Sequence, residues 1–182
     1  KSSHYRIMML WMNILSSILG IKVDIRGIPD QSANLFVSNH VTYLDIIIIN
    51  KLLPVNFIAK EEISSWPVIG RLASKTGTLF IKRGDNVESS KMIYEMEERF
   101  KLQNKIVFFP EGKIGNGKRV RKFHYKLFKS IENKELYIQP IAIRYPIEYP
   151  VNNNYSEIIS DKSLKGEMFS LYLKFLMRRR SH

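Results

Sequence analysis

The segment Asn39-His40-Val41-Thr42-Tyr43-Leu44-Asp45 sets a histidine and an aspartate five positions apart, between the apolar runs Leu35 to Val37 and Ile46 to Ile49. A carboxylate that accepts a hydrogen bond from one imidazole nitrogen fixes the tautomer and leaves the other nitrogen as a general base. Such a base can take a proton from a hydroxyl whose own pKa is far too high for it to ionise at neutral pH. The spacing allows this pairing if the run before His40 is a strand and a helix starts near Thr42 or Tyr43. Asp45, in the first helical turn, then reaches back to the ring. A plainer account of the same residues has Asp45 favouring a helix N-terminus by its charge and His40 as a loop histidine.

The elements that must position this pair alternate along the chain. Lys22 to Arg26 alternates as a short strand, and Gly27-Ile28-Pro29-Asp30 turns the chain before the strand Leu35 to Val37. The helix after His40 ends before Pro54. Strand patterns recur at Asn56 to Ala59, Thr78 to Ile81, Ile106 to Phe109 and Tyr137 to Ile143, with helical stretches between them. Asp85 to Leu102 carries Met92, Ile93, Met96 and Phe100 at helical spacing, and Asn104 can take the left-handed position that often ends a helix. The alternation predicts an α/β fold: a single mixed, largely parallel sheet flanked by helices, with functional loops at strand ends.

A chain of 182 residues with 45% hydrophobic and 25% charged residues has room for one domain with a packed core. With no cysteine, disulfides, thiolate metal sites and a cysteinyl acyl-enzyme are excluded. The formal charge of +12 draws the protein to anionic surfaces: nucleic acid, acidic lipid or acidic carriers. From Ile7 to Ile21 no residue is charged, which is short of the ~20 apolar residues that span a bilayer. Asn13, Ser16 and Ser17 share one helical face there, while Ile7, Leu10, Trp11, Ile14 and Ile18 line another. A helix lying in the lipid interface and a helix buried in the core both fit this pattern. Asp161 to Arg180 has Leu164, Met168, Leu171 and Phe175 on one helical stripe beside Arg178-Arg179-Arg180, the pattern of a surface helix or of a basic membrane-facing one. Lys1 rather than methionine opens the chain, which leaves room for an upstream segment, and no cleaved signal peptide is visible.

Three further segments fall into step with His40 and Asp45. Gly77 to Arg83 ends a strand in two cations, Phe108-Phe109-Pro110-Glu111-Gly112 ends the next in a Pro-Glu-Gly turn, and Gln139-Pro140-Ile141 interrupts a late strand with proline. In this order the four segments resemble the sequence blocks of the glycerophospholipid acyltransferase family, in its bacterial, 1-acylglycerol-3-phosphate acyltransferase-like form, from Gly20 to about Ala142. The resemblance implies that His40 deprotonates an acceptor hydroxyl with Asp45 orienting it. The hydroxyl then attacks the thioester of acyl-CoA or acyl carrier protein directly, with no other cofactor and no metal. It implies that Arg83 helps hold the acceptor phosphate, with Asn39, Lys60, Glu111, Gly112 and Lys113 beside the substrates. Lys60 stands ahead of Trp66-Pro67-Val68-Ile69-Gly70, a segment similar to one that recurs in the family. With the uncharged stretch ahead of these blocks, the expected organisation is residues 1–20 as a membrane-associated helix and 21–182 as the acyltransferase domain. That domain would work on an acidic phospholipid surface at the cytoplasmic face of the inner membrane.

The third block departs from the usual pattern, since Gly112 is followed by Lys113-Ile114 where the family has a hydroxyl residue. Glu111 to Gly117 and Phe123 to Phe128 look similar to a branch that includes bacterial acylglycerol-phosphate and lyso-ornithine-lipid acyltransferases, which leaves the acceptor headgroup open. Two other readings compete: a family member that binds lipid or carrier without turnover, and a nucleic-acid-binding module built on Lys113, Lys118, Arg119, Arg121, Lys122 and Lys126 with Phe123 and Tyr125. No recognition helix or RNA-binding motif accompanies that basic run, and nucleic acid is not the expected partner. His4, His124 and His182 have no spacing that would complete a metal site with His40.

Overall fold

The structure, a computed structural model, describes residues 2–82, 86–117 and 119–145. Arg83, Lys118 and the C-terminal stretch Asp161 to Arg180 lie outside the described residues. Strands β1 (Ala33–Ser38), β2 (Val55–Lys60), β3 (Leu79–Ile81), β4 (Lys105–Phe108) and β5 (Tyr137–Ile141) form one sheet in the order β3-β2-β4-β1-β5. Among the described residues the pairings between them are all parallel, in keeping with the largely parallel sheet expected from the sequence. Parallel strands need long crossovers, and these are supplied by helices α2 (Leu44–Leu52), α3 (Ile69–Lys75) and α4 (Asn86–Lys101) and by the 3-10 turns Glu61–Ser65 and Tyr125–Ile131.

Side chains of the central strands alternate between two covered faces. Phe36, Val55, Phe57 and Val107 pack with Ile49 of α2 and with Leu53 just after it, while Leu35, Ile106 and Phe108 pack with Met92, Met96 and Phe100 of α4 and with Leu127, Phe128 and Ile131. Both faces are covered, so these strands read as near-continuous apolar runs. Each fully buried Leu, Ile or Phe removes enough apolar surface from water to contribute ~1.5–3 kcal/mol. The connection leaving β1 runs over the first face and the one leaving β4 over the second. These two neighbouring strands therefore open a crevice at their carboxyl ends, where open α/β sheets place their sites.

The four consecutive isoleucines of α2 have a structural reason. α2 is covered by the sheet on one side and by helix α1 (Ser2–Ile18) on the other, so even Ile47 and Ile48 are half-buried. α1 itself is turned against the usual sense of an amphipathic helix. Met8 and Ser16 face inward at 4% and 0% exposure, whereas Ile7, Leu10, Trp11, Ile14 and Ile18 all face outward. Ser16 Oγ accepts a hydrogen bond from Lys51 Nζ at 3.1 Å. Asn13 and Ser17 donate to the helix's own carbonyls of Met9 and Asn13. Among the described residues no helix is long and apolar enough to cross a membrane.

Two sequence expectations are corrected. Lys22 to Arg26 forms no strand, because β5 occupies the sheet position beside β1 and the segment stays largely exposed without a strand to pair with. The left-handed residue after α4 is Gln103 (φ 57°) rather than Asn104. Gln103 N–H donates to Phe100 O and Asn104 N–H to Arg99 O, the paired bonds of a Schellman ending, in which Asn104 sits one position beyond the left-handed residue. Pro140 is tolerated because β5 is an edge strand, whose outer side requires no N–H donor. Gln139 pins the turn before β1: its Oε1 accepts from Asp30 N–H and its Nε2 donates to Ile28 O.

Candidate active site

β1 ends at Ser38, and Thr42 starts the following helix by accepting the Leu44 N–H on its hydroxyl at 2.9 Å. Asp45, in the first turn of α2, folds its carboxylate back over the loop. One oxygen, Oδ2, accepts hydrogen bonds from Val41 N–H (2.7 Å), Thr42 N–H (3.0 Å) and His40 Nδ1 (2.8 Å). The other, Oδ1, accepts from the Tyr145 hydroxyl at 2.6 Å. Asp45 has no exposed surface, so its charge depends on these donors and on the positive end of the α2 dipole. Because a carboxylate only accepts, Nδ1 of His40 carries the proton and Nε2 keeps its lone pair. The imidazole stacks on Phe109 (centroids 4.0 Å apart, planes 12° apart) and meets Tyr43 edge-on at 6.3 Å. Its side chain is 12% exposed, enough for a free nitrogen to meet a substrate.

The ring borders a cleft of about 370 Å³ at the carboxyl ends of β4, β1 and β5, lined by residues that include Val41, Pro110, Arg119, Val120, Phe123 and Ile141. Apolar walls with a few polar groups suit a ligand that carries a hydrocarbon chain. Glu111 lies in this wall at 4% exposure, and its Oε2 accepts the Arg121 N–H at 3.0 Å, so it shapes the loop that closes one side of the cleft. Gly112 completes the Pro-Glu-Gly turn with φ 67°, where a side chain would be strained, and donates its N–H to Phe109 O. Gly115 N–H donates to His40 O at 2.7 Å and ties the same loop to the histidine backbone.

The remaining expected site residues are dispersed. Asn39 lines the cleft, but its amide is engaged on both sides: Nδ2 donates to Ile143 O (2.9 Å) and Oδ1 accepts from Ile143 N–H (2.7 Å). That clamp continues the β1–β5 pairing past the end of the strands. Lys60 and Lys113 are exposed and neither lines the cleft. In the segment after Lys60, Gly70 packs so close that an added Cβ would stand 2.2 Å from Ser64 O, which gives that glycine a packing role. Arg83 is outside the described residues. Of the exposed cations Arg119, Arg121, Lys122 and Lys126, Arg119 is among the lining residues, whereas the Lys126 ammonium donates to Asn86 Oδ1 of α4.

The catalytic-type pair sits at the carboxyl edge of a parallel sheet, and the profile of the acyltransferase family matches residues 21–144. The chain belongs to the acyltransferase family. It is 32% identical over 174 residues to the lyso-ornithine lipid O-acyltransferase of Pseudomonas aeruginosa, covering 91% of this chain and 67% of that protein. It is 36% identical over 136 residues to the enzyme of the same name from Rhodobacter capsulatus, covering 72% of this chain and 49% of that one. A 1-acyl-sn-glycerol-3-phosphate acyltransferase of Neisseria gonorrhoeae is 31% identical over 147 residues, covering 80% and 57%. The crystal structure of the 1-acyl-sn-glycerophosphate acyltransferase of Thermotoga maritima shares the fold, with a TM-score of 0.59 at 19% identity over 75% of this chain and 55% of that one. This acyltransferase chain thus spans between about half and two thirds of the length of these curated relatives.

Sequence reasoning missed Tyr145, which lies beyond the last recognisable block and 100 positions from Asp45. The signal that could have found it is the alternation of β5 carried four residues further. Ile141 and Ile143 pack toward the α2 side of the sheet, and Tyr145 continues their parity. Burial, the nearby Asp45 charge and its hydrogen bond to that carboxylate push the Tyr145 phenol well above its ordinary pKa, with Thr42 pulling weakly the other way. The phenol is therefore a neutral donor throughout the working pH range.

Proposed function

We propose that this chain transfers a fatty acyl group from a thioester, acyl-CoA or acyl carrier protein, to the hydroxyl of a lysophospholipid, foremost 1-acylglycerol-3-phosphate, giving phosphatidic acid. The observation that carries this reading is the buried Asp45 carboxylate holding His40 at the edge of an apolar-walled cleft. Nε2 of His40 takes the hydroxyl proton as the oxygen attacks the thioester carbonyl. Collapse of the tetrahedral intermediate forms the ester C–O bond and breaks the C–S bond. The leaving thiolate recovers the proton from the imidazolium, so the ring ends as it began. Of the residues that the family blocks assign to the anionic headgroup, Arg83 would supply a planar fork and the exposed Lys113 a mobile charge.

A second acceptor, lyso-ornithine lipid, is favoured by the names of the relatives that match at 32% and 36% identity. Offering radiolabelled acyl-CoA and acyl carrier protein with lysophosphatidic acid, other lysophospholipids, lyso-ornithine lipid and glycerol-3-phosphate separates these cases. We expect ester formation on a lysolipid, strongest on lysophosphatidic acid. Preference for lyso-ornithine lipid would reassign the acceptor, and no acylation of any member of the panel would defeat the reading.

The enzyme works from the lipid surface, on the cytoplasmic face of the inner membrane, where its basic charge faces acidic phospholipid. Support comes from α1, whose outward stripe Ile7, Leu10, Trp11, Ile14 and Ile18 is the face a helix lying in an interface would bury. Flotation with acidic liposomes should weaken as salt rises but persist at high salt, because insertion of apolar side chains adds to the screened electrostatic part. Leu10→Ser with Trp11→Ser, both at exposed positions, should weaken vesicle partitioning by at least about tenfold, given ~1.5–3 kcal/mol for each large apolar side chain buried. Undiminished flotation of that variant would remove α1 from the account.

A further inference from the structure

Asp45 divides its acceptors unequally. Oδ2 receives three donors from its own loop, all within five positions, whereas the donor to Oδ1 among the described residues is Tyr145, four residues past the end of β5. The three local bonds meet at a single oxygen and leave the carboxylate free to swing about it. A bond to the second oxygen removes that freedom and sets the line along which Oδ2 faces Nδ1 of His40. We propose that Tyr145 is a positioning residue of the His40–Asp45 pair: its hydroxyl holds Asp45 so that His40 stays a neutral base aimed into the cleft. This inference rests on the acyl-transfer reading above.

The placement of the phenol follows from the sheet. β1 and β5 pair in register from Leu35↔Ile138 to Ser38↔Ile141, and the two-way bond between the Asn39 side chain and the Ile143 backbone carries the alignment onward. Ile141, Ile143 and Tyr145 share a parity that turns them toward the α2 side, where Asp45 lies. Asn39 thus fixes the height of the chain beside the pair, and Tyr145 uses that height to reach the carboxylate.

The hydroxyl has an electrostatic effect as well as a steric one. A donor to Oδ1 draws charge from the carboxylate and weakens its hold on an imidazolium. Without it Asp45 binds a protonated ring more tightly, and His40 is a free base over a narrower pH range. A tyrosine that merely packed beyond β5 would have no such effect, since loss of its hydroxyl would alter stability and leave the ring's protonation alone.

The test compares the purified wild-type protein with Tyr145→Phe and with a protein carrying 3,5-difluorotyrosine at position 145, whose more acidic phenol is a stronger donor of the same shape. In Tyr145→Phe we expect kcat for acyl transfer to fall about tenfold with both KM values within about twofold. The acid limb of the pH–rate profile should move up by about half a pH unit, a threefold change in the ionisation equilibrium. Difluorotyrosine should move that limb down. The ¹⁵N signals of the His40 ring, titrated without substrate, should follow the same two directions whatever the acceptor proves to be. These spectra separate a failure of this inference from a failure of the acyl-transfer reading. An acid limb and ring titration that stay in place in both folded variants would overturn the role. If Tyr145→Phe does not fold, the difluorotyrosine protein decides alone, and an unmoved titration there is equally fatal.

Discussion

His40→Ala should lower thioester-dependent acylation of a lysolipid by at least ~100-fold while the protein stays folded. The magnitude follows from removing the group placed to take the hydroxyl proton: water can replace a general base only at a cost of this order. The fold should survive because the ring is not a central core residue. Its loss leaves Asp45 with the Val41 and Thr42 N–H groups and the Tyr145 hydroxyl, so no buried acceptor is stranded. Phe109 loses its stacked partner, worth about 0.5–1.5 kcal/mol beyond area burial. Steady-state acylation with circular dichroism melting checks both halves. Near-normal turnover in a folded His40→Ala protein would sink the mechanism.

Asp45→Asn should be as damaging by a different route. The amide keeps one acceptor oxygen for three or four donors and introduces an N–H₂ that must face either His40 or Tyr145. If it faces His40, Nδ1 becomes the acceptor, the proton moves to Nε2, and the base is presented to the hydroxyl in its blocked tautomer. That orientation also sets the amide against the Val41 and Thr42 N–H donors, whereas if it faces Tyr145 it donates to the phenol oxygen and the phenol's own hydrogen loses its acceptor. We expect a loss of at least ~100-fold in kcat and a melting temperature lowered by a few degrees, since unmatched buried polar groups cost about 1–3 kcal/mol each. Ring ¹⁵N shifts of His40 would reveal the tautomer directly. A variant that keeps the wild-type tautomer and still loses activity would show that Asp45 acts through its charge rather than through orientation.

Much of the local structure was legible in the chain. A helix starting beside Tyr43 and ending before Pro54 matches α2, and the recurrent apolar runs match β1 to β5 within a residue or two. The failure at Lys22 to Arg26 is instructive, since its alternation is as regular as that of a true strand. Alternation describes a backbone fit to pair, but β5 holds the place beside β1 and the segment pairs with neither edge strand. For the site, the His40–Asp45 bond was legible because it closes within one helical turn. Asn39 and Gln139 belong to recognisable blocks, yet their amides proved to clamp Ile143 and the Ile28 to Asp30 turn, partners far away in sequence.

The sequence by itself determined which segments could be strands or helices, that a base and its orienting acid were available five positions apart, and that α1 had one apolar and one polar edge. Tertiary structure decided the strand order that sets β4 and β5 on either side of β1. It thereby brought Pro110, Glu111 and Ile141 to the same cleft as His40 and delivered Tyr145 to the second oxygen of Asp45. It also decided that the polar edge of α1 meets Lys51 while the apolar edge faces outward. The division has a physical cause. Hydrogen bonds that close within a turn are encoded by spacing, whereas the neighbours of a strand follow from the summed packing of two faces, a sum that no local pattern contains.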